Sequence, residues 1–345
     1  KFRELPIDER AILLEGGQGH NLNGNMFYLL KEIEENPKFK GFTPYYTVQR
    51  DNLKQAKAWL NGFGFKKFHL VIRNSKKYQK YLATSKYLFT DNSFPVYFDK
   101  RDSQVYINTG HASITDHMGR YGIESATSIG NLQKNYLMAD YVLYPDTGSY
   151  DAILEDFMIT GIAKNKELFM DMPRLDALRD SKSRERLRKI LKLDDKQVIA
   201  YMPTWRAGNG RNADIEGQQE IAKGHLRELD GLLRDDQIVL VNFHFLVGND
   251  IDFTEFTHIK AFPKEHETYQ ILNCADVLIR DYSSVFIDFA AKRKKVILFT
   301  YDRDSAYIKR RGMYEGIKQF NFPIVLTIKE LIEEINNPDF SYANY

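Results

Sequence analysis

Four polar residues, Asp281-Tyr282-Ser283-Ser284, follow a short apolar stretch in the C-terminal half of the sequence. The apolar stretch predicts a strand that ends here, and the residues that follow predict a helix with Ser283 or Ser284 near its N-cap. Hydroxyls and free backbone N–H groups at a helix start can bind an anion, and the helix dipole adds a favourable field. The segment is therefore a candidate anion site, although an ordinary serine N-cap has the same pattern.

A second polar turn, Thr204-Trp205-Arg206, follows the strand predicted at Val198–Met202. Because ligands of open α/β sheets bind at the carboxyl ends of the strands, we expect Thr204 and Arg206 to reach the same anion. A guanidinium can clamp a phosphate with two parallel hydrogen bonds. Trp205 either packs beneath the loop as a structural residue or stacks on a base.

Two histidines stand at predicted strand ends, one in each half of the chain. His111 follows the strand predicted at Val105–Asn108, and His244 follows Gln237–Asn242. An imidazole can take the proton of an attacking hydroxyl, and when charged it can neutralise a leaving phosphate. Each position also fits a hydrogen-bonded structural histidine.

The elements that must position these residues alternate between short apolar runs and segments with helical periodicity, which is typical of βαβ units with mainly parallel sheets. We predict two Rossmann-like α/β domains, residues 1–175 and 176–345, with the active site in the cleft between them. The predicted strands of the first domain are Ala11–Leu14, Pro44–Val48, Phe68–Ile72, Tyr87–Thr90, Val105–Asn108 and Tyr141–Tyr144. Those of the second are Val198–Met202, Gln237–Asn242, Ile259–Ala261, Val277–Ile279 and Lys295–Phe299.

Composition excludes several classes of protein. A chain of 345 residues with 43% hydrophobic residues is folded, and a net charge of +2 gives no argument for a nucleic-acid partner. Cys274 is the only cysteine, which excludes an internal disulfide and fits the cytoplasm. Local basic runs, Lys182–Lys189, Lys292–Lys295 and Lys309–Arg311, suit either an anionic membrane surface or a solvated face.

Common catalytic signatures are missing. The sequence has no Walker A motif, no H-E-x-x-H and no G-x-S-x-G, and the turn Gly16-Gly17-Gln18-Gly19-His20 lacks the G-x-G-x-x-G spacing of a dinucleotide site. His111, Asp116 and His117 are close in sequence, but no second compact ligand set accompanies them. We therefore expect neither a metal nor a cofactor.

In combination, these motifs resemble the CDP-glycerol glycerophosphotransferase family, the teichoic acid primases and polymerases. The resemblance rests on Pro203-Thr204-Trp205-Arg206, His244, Asp281-Tyr282-Ser283-Ser284 followed by Phe286-Ile287-Asp288-Phe289, and Tyr301-Asp302 followed by Arg311-Gly312-Met313-Tyr314. Asp91-Asn92-Ser93-Phe94-Pro95, the His111 turn and Asp171–Asp176 stand upstream in the family's order. The resemblance thus covers most of the chain.

The resemblance implies a GT-B-like architecture and transfer of glycerol phosphate or ribitol phosphate from a CDP-polyol to a lipid-linked or polymeric acceptor, with release of CMP. It implies that His111 is the base in an N-terminal acceptor domain. His244 and the donor binders Thr204, Trp205, Arg206, Asp281, Tyr282, Ser283, Ser284 and Arg311 then belong to a C-terminal nucleotide-donor domain. It also implies a cytoplasmic protein, peripheral on the inner face of the cell membrane.

Two motifs depart from the family pattern. The first-domain stretch His111-Ala112-Ser113-Ile114-Thr115-Asp116 has neither the proline nor the lysine of the usual His-Gly-Thr-Pro-Leu-Lys, and Phe245 follows His244 where a proline is usual. Two alternatives therefore stay open: a GT-B sugar transferase or epimerase that uses another nucleotide-sugar, and an inactive nucleotide- or polymer-binding module.

Overall fold

The computed structural model describes residues 2–110, 118–122, 125–164, 166–204, 215–243, 251–311, 313–318 and 320–339. These residues divide into two compact units, one up to Asp176 and one from Ala177 onward. Each unit contains one sheet, and all strand pairs in both sheets are parallel. The predicted α/β class with two Rossmann-like domains is therefore confirmed.

The N-terminal unit contains a seven-stranded sheet in the order β3-β2-β1-β4-β5-β6-β7. Its strands are β1 (Asp8–Glu15), β2 (Thr43–Val48), β3 (His69–Ile72), β4 (Ser85–Thr90), β5 (Val105–Asn108), β6 (Tyr141–Tyr144) and β7 (Lys166–Phe169). Its helices are α1 (Asn25–Glu35), α2 (Leu53–Gly62), α3 (Lys76–Thr84), α4 (Ala126–Met138) and α5 (Thr147–Asp156). The interior strand β1 is buried from Ala11 to Glu15, as a strand covered by helices on both faces must be.

The C-terminal unit contains a six-stranded sheet in the order β10-β9-β8-β11-β12-β13. Its strands are β8 (Gln197–Tyr201), β9 (Gln237–Val241), β10 (Ile259–Ala261), β11 (Val277–Arg280), β12 (Lys295–Phe299) and β13 (Ile324–Val325). Its helices are α6 (Asp176–Arg179), α7 (Ser181–Ile190), α8 (Ile215–Asp230), α9 (Thr268–Cys274), α10 (Val285–Ala290), α11 (Ala306–Arg311), α12 (Met313–Lys318) and α13 (Ile328–Asn336). All residues of β9, β11 and β12 are buried.

Every predicted strand is present within two residues at each end, except β1, which begins three residues earlier than predicted. Two strands, β7 and β13, were not predicted from the sequence. Strand β7 reads Lys-Glu-Leu-Phe and lies mostly exposed at the sheet edge, so it has no apolar run, and β13 has only two residues. Helices α4, α6, α11 and α12 were also not predicted: the sequence of α4, ATSIGNLQKNYLM, has little amphipathic contrast, and the other three are short.

The two longer basic runs meet in the tertiary structure, at the carboxylate of Asp276. Arg184 and Arg188 contact its two oxygens at 2.7 and 3.1 Å, and Lys294 lies 3.2 Å from the first. Burial by itself would raise the pKa of Asp276, but the N–H of Val198 and these three cations together lower it. Part of each run therefore stabilises the start of β11 instead of facing solvent.

Within the residues that the structure describes, no helix has the length and apolar character needed to cross a membrane.

Candidate active site

The carboxyl ends of β8 and β11 lie side by side in the C-terminal sheet. Tyr201 is in register with Ile279, and the N–H of Met202 donates to the carbonyl of Ile279 at 3.1 Å. This pairing brings together the two polar turns that follow the strands, so Thr204 meets Asp281.

Asp281 joins the two turns through a buried carboxylate that is 2% exposed. It accepts the N–H of Thr204 at 2.8 Å on Oδ2 and 3.0 Å on Oδ1, the Thr204 hydroxyl at 2.5 Å, and the N–H of Tyr282 at 2.7 Å. Hydrogen bonds to an ionised acceptor are the stronger kind. Asp281 therefore determines where both turns begin. We call this arrangement the Asp281–Thr204 clamp.

The serines lie directly after the clamp. Ser284 is the N-cap residue of α10, and its side chain makes no capping hydrogen bond. Ser283 is partly exposed, whereas Tyr282 is buried and donates its hydroxyl to Asp302 at 3.1 Å. The predicted N-cap position is thus correct. The Tyr282 contact also connects this turn to the segment after β12.

His225 is a titratable residue near this edge that the sequence reasoning did not single out. Its ring centroid lies 4.6 Å from that of Tyr301 and 5.3 Å from that of Phe299. Burial lowers the pKa of His225, opposed by the carboxylates of Glu228 and Asp302. Its position within an amphipathic helix gave no local signal, because only the fold brings α8 beside the end of β12.

In the N-terminal unit, the backbone just before His111 is firmly anchored. The N–H of Thr109 donates to the carbonyl of Thr90 at 2.9 Å, and the side-chain amide of Asn25 donates to the carbonyl of Gly110 at 3.0 Å. Gly110 has a φ of 59°, a conformation that favours glycine. The chain therefore leaves the carboxyl end of β5 in a defined direction.

The glycine-rich residues 16–22, here called the β1 loop, are also tied to the ends of neighbouring strands. The N–H of Gly17 donates to Asp91 at 2.7 Å, and Gln49 donates its side-chain amide to Gln18 at 2.8 Å and its N–H to Gly19 at 2.9 Å. Gln18 has a φ of 56°, a strained value for a residue with a side chain. The loop is thus held rigidly at the carboxyl edge of the sheet.

Glu15 is a buried carboxylate beneath the β1 loop. Its side chain is fully buried, and Oε1 lies 3.1 Å from Nε of Arg73. Burial raises the pKa of Glu15 from its ordinary 4.5 to about 6, and the Arg73 guanidinium only partly offsets this.

We expect Glu15 to make the stability of the protein depend on pH between 4.5 and 6. Because the folded-state pKa is raised, the folded protein holds the extra proton, and this stabilisation is lost as the pH rises through 6. The loss amounts to about 2 kcal/mol. The free energy of unfolding is measured with urea at several pH values. As the pH rises, it should fall for the wild type relative to Glu15→Gln, whereas the exposed control variant Glu35→Gln should show the same pH dependence as the wild type. Parallel curves for wild type and Glu15→Gln would contradict this assignment.

Several predicted site residues lie outside the described residues, namely His111, His244, Trp205 and Arg206. Arg311 is the last residue of α11, and the position of its side chain is not described. The roles of all these residues stay predictions. In the described ranges, no group of three His, Cys, Asp or Glu side chains is arranged to hold a metal ion.

Two tandem parallel-sheet units with polar residues at the carboxyl edges of both sheets define a GT-B-like protein. The wall teichoic acid polymerase TagF has the same fold, with a TM-score of 0.77 and 21% identity over 98% of this chain and 82% of that one. The UDP-GlcNAc 2-epimerase of Neisseria meningitidis also aligns, with a TM-score of 0.54, 12% identity and coverage of 97% and 94%.

The particular family follows from the sequence: the model of CDP-Glycerol:Poly(glycerophosphate) glycerophosphotransferase matches residues 2–344, and the chain belongs to this family. It is 25% identical over 347 residues to the teichoic acid poly(glycerol phosphate) polymerase of Bacillus spizizenii, with coverage of 96% of this chain and 84% of the relative. It is 26% identical to that of Bacillus subtilis, of which it spans only 45%. The teichoic acid glycerol-phosphate primase of Bacillus subtilis is 27% identical over 275 residues, with coverage of 76% and 68%.

Proposed function

We propose that this protein transfers a polyol phosphate, glycerol phosphate or ribitol phosphate, from a CDP-polyol to a hydroxyl of a cell-surface polymer acceptor and releases CMP. The observation that carries the proposal is the family match over residues 2–344. Relatives named as poly(glycerol phosphate) and poly(ribitol-phosphate) polymerases support both polyols, and two structures of a TagF variant were determined after soaks with CDPG.

In the proposed mechanism, the acceptor hydroxyl attacks the β-phosphorus of the donor in line. His111 removes the proton from that hydroxyl, the new P–O bond forms, and the bond to the CMP oxygen breaks. The hydroxyls of Ser283 and Ser284, with Arg206 and His244, stabilise the negative charge that develops on the phosphates and on the leaving CMP.

The Asp281–Thr204 clamp supports this assignment for the C-terminal unit. Polar turns that bind a diphosphate do so best when their geometry is fixed before the donor binds. Ordering such turns during binding would cost free energy and weaken the affinity. Asp281 holds both turns through four hydrogen bonds, and the hydroxyl of Ser284 is not used for capping. The clamp thus fixes the backbone beside a Ser284 hydroxyl that makes no capping hydrogen bond.

A donor screen tests the proposed function. The protein is incubated with CDP-glycerol, CDP-ribitol or UDP-GlcNAc and a polyol-phosphate acceptor, and the released nucleotide and product mass are measured. CMP release with addition of one or more polyol phosphates supports the proposal. UDP release or epimerised UDP-GlcNAc would instead identify a sugar-nucleotide enzyme, and tight donor binding without turnover would identify an inactive module.

We further propose that the protein acts as a peripheral protein on the inner face of the cell membrane. The supporting surface is the exposed side of α7, with Lys182, Arg186, Lys189 and Ile190, the last 61% exposed. Each cation near an anionic lipid surface contributes about 1 kcal/mol, so Lys182→Gln/Arg186→Gln/Lys189→Gln should weaken binding to phosphatidylglycerol vesicles about 100-fold. Cosedimentation that is equal for this variant and wild type would place the contact elsewhere.

A further inference from the structure

A groove of about 540 Å³ runs along the outer edge of the N-terminal sheet, away from the strand ends described above. Its floor is the edge strand β3 and the residues just before it. One wall is a stripe of α2, with Leu53, Lys57 and Asn61 spaced four residues apart, and the other is the pair Lys77 and Tyr81 of α3. This volume lies within the range of small-molecule sites.

The groove is strongly basic. Lys57, Lys66 and Lys77 line it, no Asp or Glu does, and within the described residues none of these three ammonium groups has an ion-pair or hydrogen-bond partner. The sequence around it is unusual for a chain with a net charge of +2, because residues 52–90 contain eight lysines and one arginine but no acidic residue. The fold places three of these lysines in one groove at the β3 edge, so the groove favours an anionic ligand.

Besides its concave shape and its positive charge, the groove contains stacked aromatic rings. The rings of Tyr45 and Tyr81 stack with centroids 3.8 Å apart, and that of His69 lies 5.5 Å from Tyr45 on a similar plane. The pKa of Tyr45 is raised to about 12, mainly by burial and to a smaller extent by the neighbouring Tyr81. Its phenol therefore keeps its proton at neutral pH. An aromatic stack beside ammonium groups provides apolar and cationic contacts for a ligand that alternates carbon segments with phosphates.

We propose that this groove binds the phosphodiester backbone of the acceptor polymer at a site separate from the reacting end. The inference rests on the proposed function for the identity of the polymer. Its concave shape fits a chain better than a flat bilayer, and its three spaced cations fit a repeating charge better than one phosphate. Strand β3 is four strand spacings from β5, about 19 Å, so only an acceptor of several repeats reaches from the groove to the carboxyl end of β5.

The test compares acceptors of two lengths in the full chain. For Lys57→Gln/Lys66→Gln/Lys77→Gln, the KM for a long polyol-phosphate oligomer should rise about tenfold, as three exposed ion pairs predict. The kcat and the KM for a single polyol-phosphate acceptor should stay unchanged. High salt should reduce the difference between wild type and the variant. The matched control Lys38→Gln/Lys40→Gln/Lys164→Gln changes the same charge at exposed positions on the same unit and should behave as wild type.

Direct titration of a fluorescent oligomer separates this proposal from the proposed function. Loss of oligomer affinity in the groove variant supports the groove even if no donor releases CMP, a result that would overturn only the transfer reaction. Equal oligomer affinity in wild type and variant overturns the groove proposal. It is likewise overturned if the variant loses only binding to phosphatidylglycerol vesicles, or only binding to CMP, because the groove then serves a lipid surface or a nucleotide.

Discussion

Replacing His111 with alanine is expected to lower the rate of CMP release about 1000-fold, within the range contributed by a positioned general base. The acceptor is a neutral hydroxyl, and without a base its proton must leave to water as the P–O bond forms. Donor affinity should change little, because the proposed role of His111 concerns the acceptor. The expectation rests on the proposed function and on the anchored backbone at Thr109 and Gly110.

The measurement is steady-state CMP release with a radiolabelled donor, together with donor affinity by equilibrium titration. His258→Gln is the matched control. His258 immediately precedes β10, at the amino ends of the strands of the C-terminal sheet, whereas the clamp lies at the carboxyl ends of β8 and β11. Transfer by His111→Ala at near-normal rate would remove His111 from the mechanism. Loss of donor binding together with the rate would move His111 to the donor site.

Asp281→Ala should produce the second large effect, on both folding and transfer. The substitution leaves the N–H and hydroxyl of Thr204 and the N–H of Tyr282 without their acceptor. Loss of these four hydrogen bonds to Asp281 should lower the free energy of unfolding by about 3 kcal/mol. Because the two turns then lose the carboxylate that holds both of them in position, we expect kcat/KM for the donor to fall about 100-fold. This is a typical effect of misplaced binding groups.

Two further variants separate geometry from stability. Asp281→Asn keeps the shape but loses the charge and one acceptor oxygen, and Thr204→Val removes one hydrogen bond at nearly constant volume. Both variants should reduce kcat/KM strongly and lower the unfolding temperature only slightly. The exposed control variant Asp194→Asn should change neither quantity. If Asp281→Asn unfolds at a lower temperature but transfers normally, the clamp is purely structural.

Much of the fold was predictable because strand and helix signals are local. Short apolar runs separated by helical periods predict parallel strands, and such runs identified eleven of the thirteen strands in the part of the chain that the structure describes. The two missed strands lack that signal, since one is exposed and polar and the other has two residues. The N-cap at Ser284 was also predictable from neighbouring residues alone.

The partners of the buried polar groups were not predictable, because they are distant in sequence. Thr204 and Asp281 are 77 residues apart, and Glu15 and Arg73 are 58 apart. Nothing near Glu15 indicates that its carboxyl is buried with a raised pKa, since that depends on which strand ends surround it. In the same way, only the fold separates the basic residues that bind Asp276 from those that face solvent on α7.

By itself the sequence determined the α/β class, the two-domain organisation and the turn Asp281-Tyr282-Ser283-Ser284 as a polar strand end before a helix, because each depends on residue types within one or two elements. Only the tertiary structure decided that Asp281 is the buried clamp of that turn and that three lysines of residues 52–90 line one groove at the β3 edge. Which side chains are buried, and which charged side chains become neighbours, depends on the order of the strands in the sheet. Local periodicity in the sequence does not encode that order.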